Sequence, residues 1–253
     1  MNKSALIGAA ISFAISTQAM ALYIPGSKDI TINDGNYRNL SWDGTKFSKN
    51  GWYGPQEDNE VEPGASSGPS IQAWDLEAFY QKGNQLSLAS GFDLVNGAYD
   101  PVHRRTFKSG DIFLSTSGSK NNFDYVLDIN WNNLSYDVVK LTANSQLANS
   151  SIFASSGPWT YLSGGTQIES GTFNLLDSLT DAETGLRGGK HFLATGFDLS
   201  FLGEDIDFIA SYTMQCGNDH ILGEGKTTVT QVPLPGTLSL LGVAALGLFC
   251  RRK

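Results

Sequence analysis

Carboxylates set beside aromatic residues are the first chemistry the sequence offers. Trp74-Asp75-Leu76-Glu77 alternates two acids with apolar residues. On a strand that spacing sends Trp74, Leu76 and Ala78 to one face and both acids to the other. Two carboxyls at a suitable separation can hydrolyse a glycosidic bond, with a Trp stacked on the sugar ring. Plain alternation of core and solvent faces gives the same pattern, and it is the reading preferred for Asp75 and Glu77. Gly64-Ala65-Ser66-Ser67-Gly68 fits G-x-S-x-G, but acidic residues precede it and Pro69 follows it. The strand and helix that frame a nucleophile elbow are therefore missing. His103, His191 and His220 are widely spaced, and neither H-E-x-x-H nor C-x-x-C occurs, so transition-metal catalysis has no local support. Hard oxygen ligands for Ca2+ are offered by Glu204, Asp205 and Asp207, and by Asp29 and Asp34, without EF-hand spacing. No other cofactor is implied, and no residue is assigned a catalytic role.

Binding and attachment have candidates of their own. Trp52, Trp131 and Trp159 are stacking platforms for a carbohydrate if their rings are exposed. The turn Asp100-Pro101-Val102-His103-Arg104-Arg105 suits an acidic sugar or a carboxylate; a solvated basic turn is the plainer account. Cys216 is the only cysteine of the chain besides Cys250 near the C-terminus, which excludes a disulfide framework. It is either a buried thiol closing the core or an attachment point.

The elements that must hold these residues are strands. Apolar or aromatic runs of five to eight residues recur between clusters of Gly, Asn, Asp and Ser. The pattern predicts a hairpin of 76–81 and 85–91 around Lys82-Gly83-Asn84. It also predicts a meander of 111–116, 123–130 and 135–141, and later strands at 191–199, 206–215 and 226–232. Residues 175–186 are the best candidate for a short helix, capped at Asp177 or Thr180, and 56–69 read as a long exposed loop. The segments 88–94 and 193–199 echo each other as L-A-[ST]-G-F-D-L. The fold class expected is all-β: a single antiparallel β-sandwich over residues 22–230, jelly-roll-like in one version.

The two ends carry an address. In residues 1–21, Lys3, an apolar run and the small-x-small site Ala19-Met20-Ala21 read as a signal peptide for the Sec translocon, cut by signal peptidase after Ala21. Residues 231–253 hold Pro233-Leu234-Pro235-Gly236, an apolar run to Phe249 read as a transmembrane helix, and the basic end Arg251-Arg252-Lys253, which stays cytoplasmic. This tail resembles a PEP-CTERM sorting signal, with Leu234 where the motif usually has Glu. The resemblance implies processing by exosortase in a Gram-negative envelope, then surface display or release into exopolysaccharide. The stretches 74–78, 110–113, 125–128 and 216–219 are similar to ectodomain motifs recurring among exosortase-dependent surface proteins, and bring no activity with them.

The charge balance narrows the partners. The chain has 25 acidic and 17 basic residues, a net charge of −8. Removing Lys3, Arg251, Arg252 and Lys253 leaves 13 basic residues and a body charge of −12. Such a surface repels phosphate backbones, so nucleic acid is excluded as a partner, and it repels polyanionic polysaccharide unless divalent cations bridge the two. The expected role is a surface or biofilm-matrix protein without enzymatic activity. A carbohydrate-binding module is the first alternative and a polysaccharide hydrolase the second.

Overall fold

A computed structural model describes residues 26–32, 41–42, 47–48, 57–58, 61 and 71–228. The signal peptide, the G-x-S-x-G stretch, Trp52, Asp34 and the whole C-terminal tail lie outside these residues. Strands dominate, all paired antiparallel, and the single α-helix among the described residues is the one turn Asp181–Thr184.

Two larger sheets carry most of the strands. The five-stranded sheet runs Lys28–Asp29, Leu76–Lys82, Gln85–Ser90, His191–Asp198, Asn174–Leu179. The six-stranded sheet runs Thr166–Thr172, Ser135–Lys140, Tyr125–Asn130, Ile112–Ser115, Asp207–Thr213, His220–Lys226. The predicted hairpin is present: Lys82 pairs with Gln85, and Gly83 makes the turn at φ +58°, a left-handed conformation that costs glycine little. The echoed segments prove to be neighbours, with Leu88 opposite Ala194 and Ala89 opposite Leu193.

One hydrophobic cluster draws on both sheets. Phe79, Leu86, Leu88, Ala194 and Phe197 come from the first, and Ile112, Leu114, Leu127, Phe208 and Tyr212 from the second. All are almost wholly buried, and such burial contributes about 1.5–3 kcal/mol for each of the Leu, Ile and Phe side chains. Phe173 and Phe197 stack with ring centroids 4.8 Å apart. Cys216 belongs to this cluster. A smaller cluster of Ala78, Tyr80, Ala89, Leu179, Leu186 and Leu193 covers the other face of the five-stranded sheet.

Three expectations change. Residues 174–179 form a strand instead of the start of a helix, because Leu175 and Leu176 pair with Ala194 and Leu193. Helix begins only after Thr180, whose N–H and hydroxyl both donate to Glu183 at 2.8 Å. The last described strand is His220–Lys226, paired throughout with Asp207–Thr213, so it ends where 226–232 was expected to begin. The supposedly exposed loop buries Glu57, Asp58 and Val61.

Candidate functional site

Two places bring carboxylates together, one open and one closed. The open one is a cleft of about 560 Å3 where the six-stranded sheet meets the ribbon of Gln146–Asn149 and Pro158–Ser163. Asp111, Asp128, Asp137, Tyr136, Trp131 and Trp159 are among its lining residues. Asp111 ties sheet to ribbon. Its Oδ1 accepts the Ile129 N–H at 2.9 Å, and its Oδ2 accepts the Tyr161 N–H and the Thr160 hydroxyl, both at 2.8 Å. Its own N–H donates to the Trp159 carbonyl at 2.8 Å. Preceding it, Gly110 leaves no room for a Cβ, which would strike the carbonyl oxygens of Trp159 and Thr213.

Burial pushes the Asp111 carboxyl up to about 7 against the pull of its three donors, with the charge of Asp128 adding to the rise. Asp128 and Asp137 stand directly opposite on neighbouring strands, where like charges repel. Burial and then Asp137 raise the Asp128 carboxyl. Gln167 Nε2 and Ser170 Oγ donate to Asp137 at 2.8 and 2.6 Å.

The predicted tryptophan platforms separate. Trp131 is a core residue, 7% exposed, with its indole N–H bonded to the Gly110 carbonyl at 2.9 Å and its ring edge-on to Phe173 and Tyr212. That corrects its reading as an exposed platform: hydrophobic packing claimed the ring. Trp159 is half-buried at the wall of the cleft.

The closed place lies against the other face of the five-stranded sheet. Leu76 pairs with Ser90 and Ala78 with Ala89, so Glu77 is an extra residue in a β-bulge. Instead of facing solvent, Asp75 and Glu77 are both fully buried, which corrects the alternation expected of them. The Asp75 carbonyl accepts the N–H groups of Gly91 and Phe92, and Asp219 accepts the Leu76 N–H at 2.6 Å, so the strand start is fixed. Glu77 Oε1 accepts from Gln72 Nε2 at 2.7 Å and from His191 Nδ1 at 2.6 Å. His191 Nε2 reaches Asp181 at 3.0 Å. A carboxylate at each ring nitrogen favours the protonated ring: burial lowers its pKa, and the bonds to Glu77 and Asp181 more than reverse that.

Asp58 completes the arrangement, accepting the Arg187 N–H at 3.0 Å. Ligand atoms of Asp58, Asp75 and Glu77 lie within 4.8 Å of one another. Burial raises Asp58 well above the usual carboxylate range, and the charge of Glu77 adds to it; burial likewise raises Glu77, against the pull of His191. Sequence reasoning singled out Asp75 and Glu77 as a carboxylate pair but missed that they are buried together with Asp58 and braced by His191, because those partners lie far away in the chain.

The remaining candidates stand apart. Asp205 and Asp207 are exposed and share Lys226, whose Nζ is 3.0 and 3.7 Å from their carboxylates, and Glu204 is exposed beside them. Asp29 accepts the Thr31 N–H and hydroxyl at 2.9 and 2.6 Å. Glu204, Asp205 and Asp207 do not converge as Asp58, Asp75 and Glu77 do, and Asp34 lies outside the described residues. His103 bonds Asp100 at 2.7 Å, and Arg105 lies over the Phe107 ring while donating to Ser151. Cys216 is 2% exposed, and burial pushes its thiol up to about 11, the environment of an inert thiol.

Comparison with known proteins adds the address. Residues 231–253 match the PEP-CTERM protein-sorting motif, as the resemblance of the tail implied. The chain therefore carries the signal of an exosortase-targeted exported protein, processed from a membrane-anchored precursor. No curated protein and no solved structure matches it.

Proposed function

We propose that the protein works at the cell surface or in an exopolysaccharide matrix, without enzymatic activity, and that its body holds a neutral polysaccharide in the cleft beside Trp159. Export runs through the Sec translocon, signal peptidase cuts after Ala21, and exosortase acts on the tail. The body, residues 22–230, is a single β-sandwich in this reading, supported by the one core cluster shared between both sheets. The observation that carries the proposal is the sorting motif at 231–253. Support for glycan binding comes from the cleft itself: one half-buried Trp ring with carboxylates and Asn130 along the wall matches the alternation of apolar face and hydroxyl rim on a sugar. A strongly acidic body disfavours polyanions, which points to uncharged sugars.

Asp111 and Asp128 in the same cleft, both with raised carboxyl pKa values, favour a second reading as a polysaccharide hydrolase. Full-length protein in detergent, titrated with neutral and acidic oligosaccharides and assayed for new reducing ends, separates the two. The expected result is binding of the neutral series, roughly tenfold weaker in Trp159→Ala, with no reducing ends formed. Reducing ends that vanish in Asp128→Asn would transfer the assignment to the hydrolase.

A further inference from the structure

The polysaccharide reading makes no use of the closed carboxylate cluster. We propose that Asp58, Asp75 and Glu77 form a binding site for one divalent cation of the hard, oxygen-preferring class, calcium in an exported protein. Three buried carboxylates with ligand atoms within 4.8 Å of one another supply the donors. A second observation singles out the ligand. Glu77 is wholly buried; its Oε1 is taken by Gln72 and His191, while its Oε2 meets no hydrogen-bond partner. A buried carboxylate oxygen left so costs free energy unless something binds it, and the cluster around it accepts cations.

The surroundings orient Glu77 without competing for the ion. Gln72 donates from one Nε2 to Glu77 and to the Lys190 carbonyl, at 2.7 and 2.8 Å. It is clamped between Gly91 and Gly188, either of which would strike it if it carried a Cβ. His191 braces Glu77 from the other side and is itself braced by Asp181. Outer-shell bonds of this kind fix ligands in metal sites.

Donor chemistry selects the ion. Zinc prefers imidazole nitrogen and thiolate, but both nitrogens of His191 face carboxylates and Cys216 lies in the core shared by the two sheets. Magnesium keeps most of its water and takes one or two carboxylates, whereas here three side chains are buried together. Calcium accepts carboxylate-rich, irregular oxygen cages, and extracellular modules bind it at roughly 10⁻⁴–10⁻³ M. Its structural effect is to pin the segment at Asp58 to the bulged strand start at Asp75 and Glu77.

The test is calorimetric titration of EDTA-stripped, full-length protein in detergent with CaCl2, MgCl2 and ZnCl2, joined to thermal unfolding. The expected result is one Ca2+ per chain and an unfolding midpoint raised by about 5 °C at saturation. Asp58→Asn keeps an acceptor for the Arg187 N–H and weakens calcium binding at least tenfold. Glu77→Gln does the same through a different side chain, and Asp205→Asn binds as the wild type does. Wild-type protein that takes up no calcium and shows no midpoint shift overturns the proposal. So does tighter binding of zinc than of calcium, or calcium binding unchanged in both variants.

Discussion

Two groups of buried carboxylates sit on opposite sheets and are handled in opposite ways. Asp111 is surrounded by donors, with two backbone N–H groups and a hydroxyl filling its oxygens. Asp58, Asp75 and Glu77 bring their carboxylates within 4.8 Å of one another, and one oxygen of Glu77 is left without a donor. In the first case the fold itself satisfies the charge and gains a tie between the sheet and a ribbon. In the second the fold concentrates negative charge in a dry place, which polar donors alone offset poorly. Burial depth is therefore a poor guide to the role of an acid; what fills its lone pairs decides whether it is a structural tie or a binding site.

The sharpest way to break this contrast is to remove the tie. Asp111→Ala leaves the buried N–H groups of Ile129 and Tyr161 without their acceptor, and the expected loss is about 3–5 kcal/mol of unfolding free energy by urea denaturation. A loss below about 1 kcal/mol would mean that the ribbon is held by other contacts. Next in size is the response to calcium. At a concentration about 100 times the wild-type Kd, mass action predicts roughly 2.7 kcal/mol of added stability in the wild type, at most about 1.4 kcal/mol in Asp58→Asn with its tenfold or greater loss of affinity, and the full increment in folded Asp111→Asn, because the two groups are separate.

A pH series gives a smaller effect of defined sign. The Asp111 carboxyl, raised to about 7 in the fold, keeps its proton where an unfolded carboxyl near ~3.9 has released it. The native state then binds more protons than the unfolded state between about pH 4 and pH 7, so unfolding free energy falls as pH rises through that window. Asp128 and the buried Tyr212 are the titratable neighbours coupled to it. Asp111→Asn should flatten this share of the slope in calcium-free buffer, and an unchanged slope would reject it. Smallest is the exposed pair of Lys226 with Asp205 and Asp207. Asp205→Asn should leave the thermal midpoint unmoved within error at physiological salt, as screened surface pairs do.

Local pattern made much of the scaffold legible. The hairpin about Gly83 and the meander from Ile112 to Lys140 were readable because alternation and turn residues act over a few positions. Residues 174–179 were misread because Leu175, Leu176 and Leu179 fit a helix face as well as a strand, and only the partner strand at 191–198 decides between them. The closed cluster was illegible for a related reason. A bulge at Glu77 and a covering segment at Asp58 turn an apparently solvent-facing pair of acids inward, and neither event has a signature in the neighbouring residues. Trp131 shows the limit for single aromatics, since ring exposure depends on which face of Tyr125–Asn130 the chain turns under. The tail differs from all of these: its motif, apolar run and basic end act in linear order, so the match at 231–253 was readable without any fold.

The most direct test of the account is the intact mass and location of the native protein in cells with and without their exosortase. The account predicts a chain shortened at both ends, with its body at the surface or in the matrix, and an unprocessed tail held in the inner membrane when exosortase is absent. A full-length C-terminus in the inner membrane of both strains would contradict it.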